Sequence, residues 1–306
     1  MTVSRTIVLG FAVVLWGGAL FAQGAGGSVG REPTAEEIMA RVASNQDRAE
    51  AERGRYVYVQ HARVMSRKRK TVMCEEVTDS RVTPTASGSH AELLKLQGRM
   101  LVKHRYISYD ALPAPKEDGA TAVRNEDGSG SVEVGDDSMD RGLVEQMRAD
   151  LTANKSKDGI DPRLFPLTSG GQSEMLFQLI GREHRDGREV FHIAFRPKDK
   201  DEFGWKGEAY IDTTVYEPVL VSTAMARKIP LAVRTLLGTS VPGLGFTVVY
   251  APQGDGVWFP VSLGTEFKLH VLFFFSREIV IDAENREFEK THASATMVPE
   301  DGAVRP

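Results

Sequence analysis

The sequence predicts an α+β protein built around a long antiparallel meander between Met175 and Phe288. Large apolar and polar side chains alternate along Phe259–Val271, which is typical of a strand with one buried and one solvated face. Turn sequences such as Arg185-Asp186-Gly187 separate the successive apolar runs, and two amphipathic helices precede the meander. We therefore expect a sheet to dominate the fold.

The strands of the meander can be assigned from the same alternation. Five further runs have strand composition: Met175–Gly181, Glu189–Arg196, Trp205–Asp212, Glu217–Ala226 and Gly245–Ala251. The buried face of Phe259–Val271 is predicted to carry Phe259, Val261, Leu263, Phe267, Leu269 and Val271. Earlier in the chain, Arg55–Val64, Thr71–Val77 and Leu93–Tyr109 have strand patterns as well.

Residues 1–24 are predicted to be a cleavable export signal. Arg5 precedes the apolar run Ile7–Phe21, and small residues follow at the spacing that a signal peptidase needs. The run is shorter than the ~20 residues of a membrane-spanning helix, although an uncleaved anchor is the alternative. We expect a periplasmic protein, held together by its core because Cys74 is the only cysteine. Cys74 is expected to be a buried apolar filler.

The first helix is predicted to begin after Thr34 and to run to about Glu52. Thr34 and Glu37 have the spacing of a capping box, and Ile38, Met39 and Val42 form one apolar stripe. Such a helix covers another element with that stripe. A second helix is predicted at Asp140–Asn154, with one apolar face made of Leu143, Met147 and Leu151.

The run Ser66–Lys70 is strongly basic and lies between two predicted strands. It suggests either a solvated hairpin tip or a site for nucleic acid or another anionic surface. The formal net charge of the chain is −4, which makes nucleic-acid binding a poor fit. We predict a hairpin tip and no nucleic-acid partner.

Residues 111–140 have the composition of an acidic, flexible insertion, and residues 292–306 that of a flexible tail. Within the insertion, the spacing of oxygen-bearing side chains resembles a calcium loop. Its candidate ligands are Asn125, Asp127, Ser129, Glu133 and Asp136. Asn at the first position and Asp at the last weaken the match, and a hairpin tip explains the same residues. We predict no metal site.

A second irregular segment, Arg227–Gly245, is inserted between two strands of the meander. It combines apolar residues with Gly and Pro, as segments that cover a site or move often do. It is predicted to be either a helix packed on the core or a mobile gate that contacts lipid or a partner. Inward-facing residues would be Ile229, Leu231, Val233, Leu236 and Leu237, with Arg227, Lys228 and Arg234 at a solvated rim.

Motifs that carry catalysis are missing from the sequence. The histidines lack metal-ligand spacing, Gly238–Gly243 is not a nucleophile elbow, and Gly243–Phe246 lacks the third glycine of a dinucleotide loop. We therefore predict that the protein binds no cofactor and is not an enzyme. A hydrolase is the least favoured of the hypotheses.

Four short stretches together resemble the LolA-like superfamily. They are Pro33–Met39 after an export signal, the tyrosine-rich Arg55–Val59, Gly204–Asp212 and Tyr216–Leu220. This superfamily contains periplasmic lipoprotein carriers, their outer-membrane receptors and the lipid-sensing domain of an anti-sigma-factor regulator. The acidic insertion departs from that pattern.

The resemblance implies a single half-barrel domain over residues 25–306. A strongly bent antiparallel sheet of about ten or eleven strands would remain open, with helices covering its concave face and an apolar cavity between them. That cavity would hold an acyl chain of a lipoprotein or lipid, for transport to the outer membrane. No acyl-contacting residue of the family can be matched to a position in this chain.

Two functions are consistent with these patterns. The first is a binding protein that shelters an acyl chain, and the second is an envelope scaffold or sensor that contacts a protein partner without lipid. The run Val271–Phe275 is apolar on both faces, so it lines a cavity or forms a strand buried on both sides. Besides the lid residues, the predicted cavity-lining residues are Phe259, Val261, Leu263, Phe267, Phe273 and Phe275.

Overall fold

The computed structural model describes residues 31–85, 88–110, 136–152, 165–199, 205–226, 239–240, 244–271 and 275–291. The chain divides into the units Met1–Pro33 and Thr34–Pro306, and the second contains the sheet and the helices. The predicted signal peptide, most of the insertion and the tail lie outside the described residues, as do most of the predicted lid and the calcium-loop residues Asn125, Asp127, Ser129 and Glu133.

The described elements are three helices and twelve strands. The helices are α1 (Ala35–Arg53), α2 (Asp136–Thr152) and the short α3 (Ser169–Gln172). The strands before α2 are β1 (Tyr56–Lys68), β2 (Thr71–Thr85), β3 (Gly88–Val102) and β4 (Arg105–Tyr109). The strands after α3 are β5 (Met175–Arg185), β6 (Arg188–Pro197), β7 (Trp205–Asp212), β8 (Pro218–Met225), β9 (Thr239–Ser240), β10 (Gly245–Pro252), β11 (Trp258–Val271) and β12 (Phe275–Lys290).

All twelve strands belong to one antiparallel sheet. Eleven of them follow the order β4-β3-β2-β1-β12-β11-β10-β8-β7-β6-β5, and β9 pairs with β11 beside that path. β12, the last strand in the chain, pairs with β1, the first, for example Ile281 with Val64. This pairing joins the strands β1–β4 to the strands β5–β12. The predicted large, unclosed antiparallel sheet is confirmed. Among the described residues, no helix is long and apolar enough to cross a bilayer.

Helix α1 packs on the β5–β10 part of the sheet. Both halves of the capping box form, since the Thr34 hydroxyl accepts from the Glu37 N–H and the Glu37 carboxylate accepts from the Thr34 N–H. Its stripe Ile38, Met39 and Val42 is fully buried. The stripe belongs to a cluster of buried apolar residues, which we call the first cluster. Its sheet residues include Ile193, Phe195, Ala209, Val221, Val248 and Trp258.

Helix α2 packs on the β1–β3 part of the sheet. Its Val144 is buried in the second cluster, which also contains Val64, Cys74, Phe267, Ile279 and Ile281. Leu143, Met147 and Leu151 pack around this cluster, as their spacing predicted. The helix begins at Asp136, earlier than the predicted Asp140.

Both helices contact the same face of the sheet, which we call the inner face. A row of directly paired residues crosses the sheet through Val221, Val248, Leu263, Ala283 and Ala62. Paired residues in neighbouring strands point to the same side. Val221 belongs to the first cluster, which contains the buried residues of α1. Val64 lies two residues after Ala62 in β1, so it points to the same side, and it belongs to the second cluster with Val144 of α2. Both helices therefore lie on one side of the sheet.

The predicted alternation along β11 is interrupted by a bulge. Val249 pairs with Ser262 and Tyr250 with Pro260, so Val261 is an extra residue in β11. An extra residue reverses the side to which the preceding side chains point. The first cluster therefore contains Trp258, whereas Phe259 packs against Tyr56 and Phe288, with ring centroids 4.8 and 4.7 Å away. The prediction that Phe259 and Leu263 share a face was wrong.

Candidate functional site

The inner face carries an apolar strip of partly exposed side chains between the two clusters. We call this strip the apolar seam, and it consists of Trp205, Met225, Leu244, Phe246, Leu263 and Leu269. Phe246 and Leu263 pack against the first cluster, and Leu244 and Leu269 against the second. The Trp205 ring meets Phe246 edge-on, with centroids 5.2 Å apart. Neither helix buries these side chains as it buries the clusters.

Close backbone packing fixes the start of β10, where the seam crosses it. A Cβ on Gly245 would lie 2.2 Å from the Thr223 carbonyl oxygen, so only glycine fits. The buried Thr265 hydroxyl donates to the Gly245 carbonyl oxygen over 2.5 Å. The Phe246 N–H donates to the Thr223 hydroxyl over 3.2 Å. These contacts fix the backbone at Gly245 and Phe246.

The segment predicted to be a lid starts and ends at the seam. The Met225 N–H donates to the Leu244 carbonyl oxygen over 3.1 Å, which brings the two flanks of that segment together. Within the segment, β9 pairs with the end of β11 through Ser240 with His270 and Thr239 with Val271. The described residues Thr239 and Ser240 thus pair with the end of β11, next to Leu269.

The predicted cavity residues that the structure describes lie in several different places. Leu263 belongs to the seam, and Phe267 is buried in the second cluster. Phe275 is buried under the Arg277 guanidinium, 4.3 Å from its ring centroid, and Phe259 and Val261 lie at the bulge away from the seam. The remaining predicted residues lie outside the described residues: Arg227, Lys228, Ile229, Leu231, Val233, Arg234, Leu236, Leu237 and Phe273.

Sequence reasoning missed Trp205, Met225, Leu244 and Phe246. Each of them lies at a strand terminus or beside one, where alternation has too few residues to assign a face. A usable signal did exist for Phe246, because it lies two residues before the apolar Val248 in the same predicted strand.

The inner face beneath α2 is unusually polar. Arg277 binds Asp140 through two hydrogen bonds of 2.7 Å, and the Ser66 hydroxyl donates to the same carboxylate over 2.5 Å. A second buried ion pair joins Arg148 to Glu76 over 2.7 Å. Buried charges are stable only when they are paired in this way. Helix α2 is therefore fixed by buried ion pairs as well as by its apolar face.

Cys74 and Tyr109 extend this polar network. The Tyr109 hydroxyl donates to Glu76 over 3.0 Å and lies 3.4 Å from the Cys74 sulfur. Burial raises the pKa of the Cys74 thiol to about 11 and also raises the pKa of Tyr109. The thiol is therefore neutral and unreactive at neutral pH, and the prediction that Cys74 is a buried filler is confirmed.

The described side chains offer apolar contact rather than reaction chemistry at the seam. Within the described part of the chain, no group of three or more His, Cys, Asp or Glu side chains is arranged to hold a metal ion. What the seam can do chemically is to remove an apolar surface from water.

No family model matches the chain. No curated protein sequence matches it either. Several solved structures are similar to the chain at low sequence identity. A domain named for outer-membrane lipoprotein sorting from Vibrio parahaemolyticus has 12% identity and a TM-score of 0.37, over 87% of this chain and 95% of that one.

Two further structures are similar over comparable lengths. A DUF1329 family protein from Desulfovibrio piger has 10% identity and a TM-score of 0.37, over 85% of this chain and 94% of its own. A LolA superfamily protein from Nitrosomonas europaea has 9% identity and a TM-score of 0.33, over 86% and 95%. The name of this third structure is that of the superfamily that the four short sequence stretches resemble.

Proposed function

We propose that this chain is an exported, periplasmic binding protein that shelters an acyl chain of a lipid or lipoprotein against the apolar seam. The observation that carries the proposal is the partial exposure of six apolar side chains between two fully buried clusters. In the proposed complex, α1 and α2 bound the ligand on the concave side of a half-barrel.

The energetics favour an apolar, extended ligand. Removing one methylene group from water contributes about 0.8 kcal/mol, so a chain lying along several seam residues gains several kcal/mol before ordering costs. Trp205 and Phe246 supply broad flat surfaces, and Met225 and the leucines supply flexible ones. These contacts select for apolar length and discriminate little between head groups.

Native mass spectrometry of the protein purified from cell envelopes tests the proposal. We expect a population heavier than the polypeptide by the mass of a lipid, with the excess mass removed by organic extraction and identified in the extract. Protein that carries no excess mass, and that also fails to bind an apolar fluorescent probe after delipidation, would contradict the proposal.

A second candidate function is an envelope scaffold or sensor that binds a protein partner without lipid. The terminal strands β4 and β5 carry large exposed apolar side chains, among them Ile107 at 48% and Ile180 at 53% exposure. Free strand edges can pair with a segment of another chain. This function predicts that polar substitutions at Ile107 or Ile180 reduce capture of a partner, whereas substitutions in the seam do not.

A further inference from the structure

Two basic hairpin tips lie side by side at one end of the sheet. The β1–β2 tip consists of Lys68, Arg69 and Lys70, and the β3–β4 tip of Lys103, His104 and Arg105. The Tyr106 hydroxyl donates to the Val72 carbonyl oxygen over 3.1 Å and so links the two hairpins directly. Residues far apart in sequence thereby form one surface, which we call the basic tips.

The basic tips concentrate one sign of charge. All six side chains are exposed, and the sequence has no Asp or Glu between Ser66 and Cys74 or between Met100 and Tyr109. Arg67, one residue before the first tip, pairs with Glu266 and Glu278 over 3.2 and 3.4 Å. Among the described residues, the lysines and arginines of the two tips form no ion pair with a carboxylate.

The backbone of the tips also departs from ordinary turn chemistry. Lys103 and His104 both have left-handed backbone angles, with φ of 46° and 68°, and Arg69 has φ of 57°. A two-residue turn of this kind strongly favours Asn-Gly, because larger side chains are strained there. The chain thus has the cationic Lys103 where turn stability alone would select Asn.

Apolar and aromatic side chains adjoin the charges. Tyr106 and Ile107 follow Arg105 directly and are 50% and 48% exposed. An amphipathic tyrosine beside lysines and arginines suits the boundary between phospholipid head groups and acyl chains. A nucleic acid would instead require a basic groove or stripe, and the net charge of the chain is −4.

We propose that the basic tips bind the anionic phospholipid head groups of a bilayer surface. The inference goes beyond the proposed lipid-binding function and does not depend on it. The last residues of β11 and the first of β12 lie at the same end of the sheet as the tips, since Arg67 pairs with Glu278 and His270 with Ser276. Docking therefore brings the end of the seam at Leu269 toward the membrane.

Vesicle flotation tests the inference. The full chain is mixed with vesicles that contain phosphatidylglycerol or with vesicles of phosphatidylcholine alone, at low and high ionic strength. We expect binding only to the anionic vesicles, weakened by salt because exposed charges are screened. Equal binding to both vesicle types would overturn the inference, as would binding to an oligonucleotide without binding to the vesicles.

Charge removal provides the matched comparison. Lys70→Gln combined with Lys103→Gln, one substitution in each tip, should weaken partitioning roughly 25-fold, at about fivefold for each cation near an anionic surface. Arg81→Gln combined with Lys95→Gln removes the same charge from exposed positions on β2 and β3 away from the tips, and should have a much smaller effect. All variants keep the same N-terminal segment, so its contribution cancels. Equal losses in both pairs would contradict a role of the tips.

A turn variant separates binding from folding. Lys103→Asn combined with His104→Gly introduces the favoured turn residues, so the melting temperature should be unchanged or higher. The same variant should bind anionic vesicles several-fold more weakly, since it loses Lys103. Unchanged vesicle binding in this stable variant would overturn the inference.

Discussion

Arg277 on β12 and Asp140 on α2 form a buried, two-bonded ion pair, with Nε to Oδ1 and Nη2 to Oδ2 both at 2.7 Å. Their side chains are only 1% and 2% exposed. The pair joins β12, a central strand of the sheet, to α2. The residues that precede and follow α2 in the sequence lie outside the described residues. It is therefore the contact that most clearly defines where α2 lies.

Asp140→Ala is predicted to destabilise the fold strongly. It removes from the buried Arg277 the carboxylate that accepts two of its hydrogen bonds, and breaking a buried pair typically costs about 3–5 kcal/mol. Denaturant unfolding measures the change, with the exposed Asp150→Ala as a control of the same chemistry on α2. The double variant Asp140→Leu with Arg277→Met should recover much of the loss, because it removes both charges. A loss below about 1 kcal/mol for Asp140→Ala would show that the pair does not fix α2.

Gly207→Ala is predicted to be destabilising by about 1–3 kcal/mol, although alanine is otherwise well tolerated. A Cβ at this position would lie 1.9 Å from the Ser222 carbonyl oxygen and 2.9 Å from the Phe195 ring. The backbone of β7 or β8 would have to shift, which disturbs the first cluster. Gly181→Ala is the control, since nothing lies within 4 Å of its Cβ. Equal thermal stability of the two variants would contradict the close approach of β7 and β8.

The stability contribution of Asp255 is predicted to depend on pH. Hydrogen bonds from the Tyr56 hydroxyl and then from Lys290 lower the pKa of the Asp255 carboxyl to about 2. A carboxyl with a lowered pKa stabilises the fold fully above its unfolded pKa, and this contribution is lost as the pH falls toward about 2. Asp255→Asn should therefore cost up to about 1 kcal/mol at pH 7, limited by solvent screening, and progressively less below pH 4. Urea unfolding at several pH values measures this, and a pH-independent difference would contradict it.

The sequence predicted the sheet well because alternation and turn chemistry are local signals. β7 has the predicted bounds, and the Thr34–Glu37 capping box forms as expected. The bulge at Val261 could not be predicted, since an extra residue in a strand is defined only by its pairing with Val249 and Tyr250. The pairing of Arg277 with Asp140 spans 137 positions and depends on the β1–β12 junction, which no local pattern reveals.

The seam was predicted only in part for the same reason. Leu263 was identified because it lies within a long alternating strand. Trp205 and Phe246 meet only after β7, β8 and β10 have aligned, and no local pattern shows that these strands are neighbours. The basic run at Lys68–Lys70 was visible in the sequence as one hairpin tip, whereas its neighbour at Lys103–Arg105 became visible only through the contact of Tyr106 with Val72.

The most direct test of the central claim is the affinity of delipidated protein for a fluorescent fatty acid, measured for the wild type and three variants. Phe246→Asp and Leu269→Asp place a charge at either side of the seam, which the ligand would have to desolvate at a cost of a few kcal/mol. Val215→Asp changes an exposed apolar residue outside the seam and is the control. We predict saturable binding to the wild type and to Val215→Asp, with binding at least tenfold weaker for the two seam variants at unchanged secondary structure. Wild-type protein that binds no apolar probe, or seam variants that bind as tightly as the control, would contradict the account.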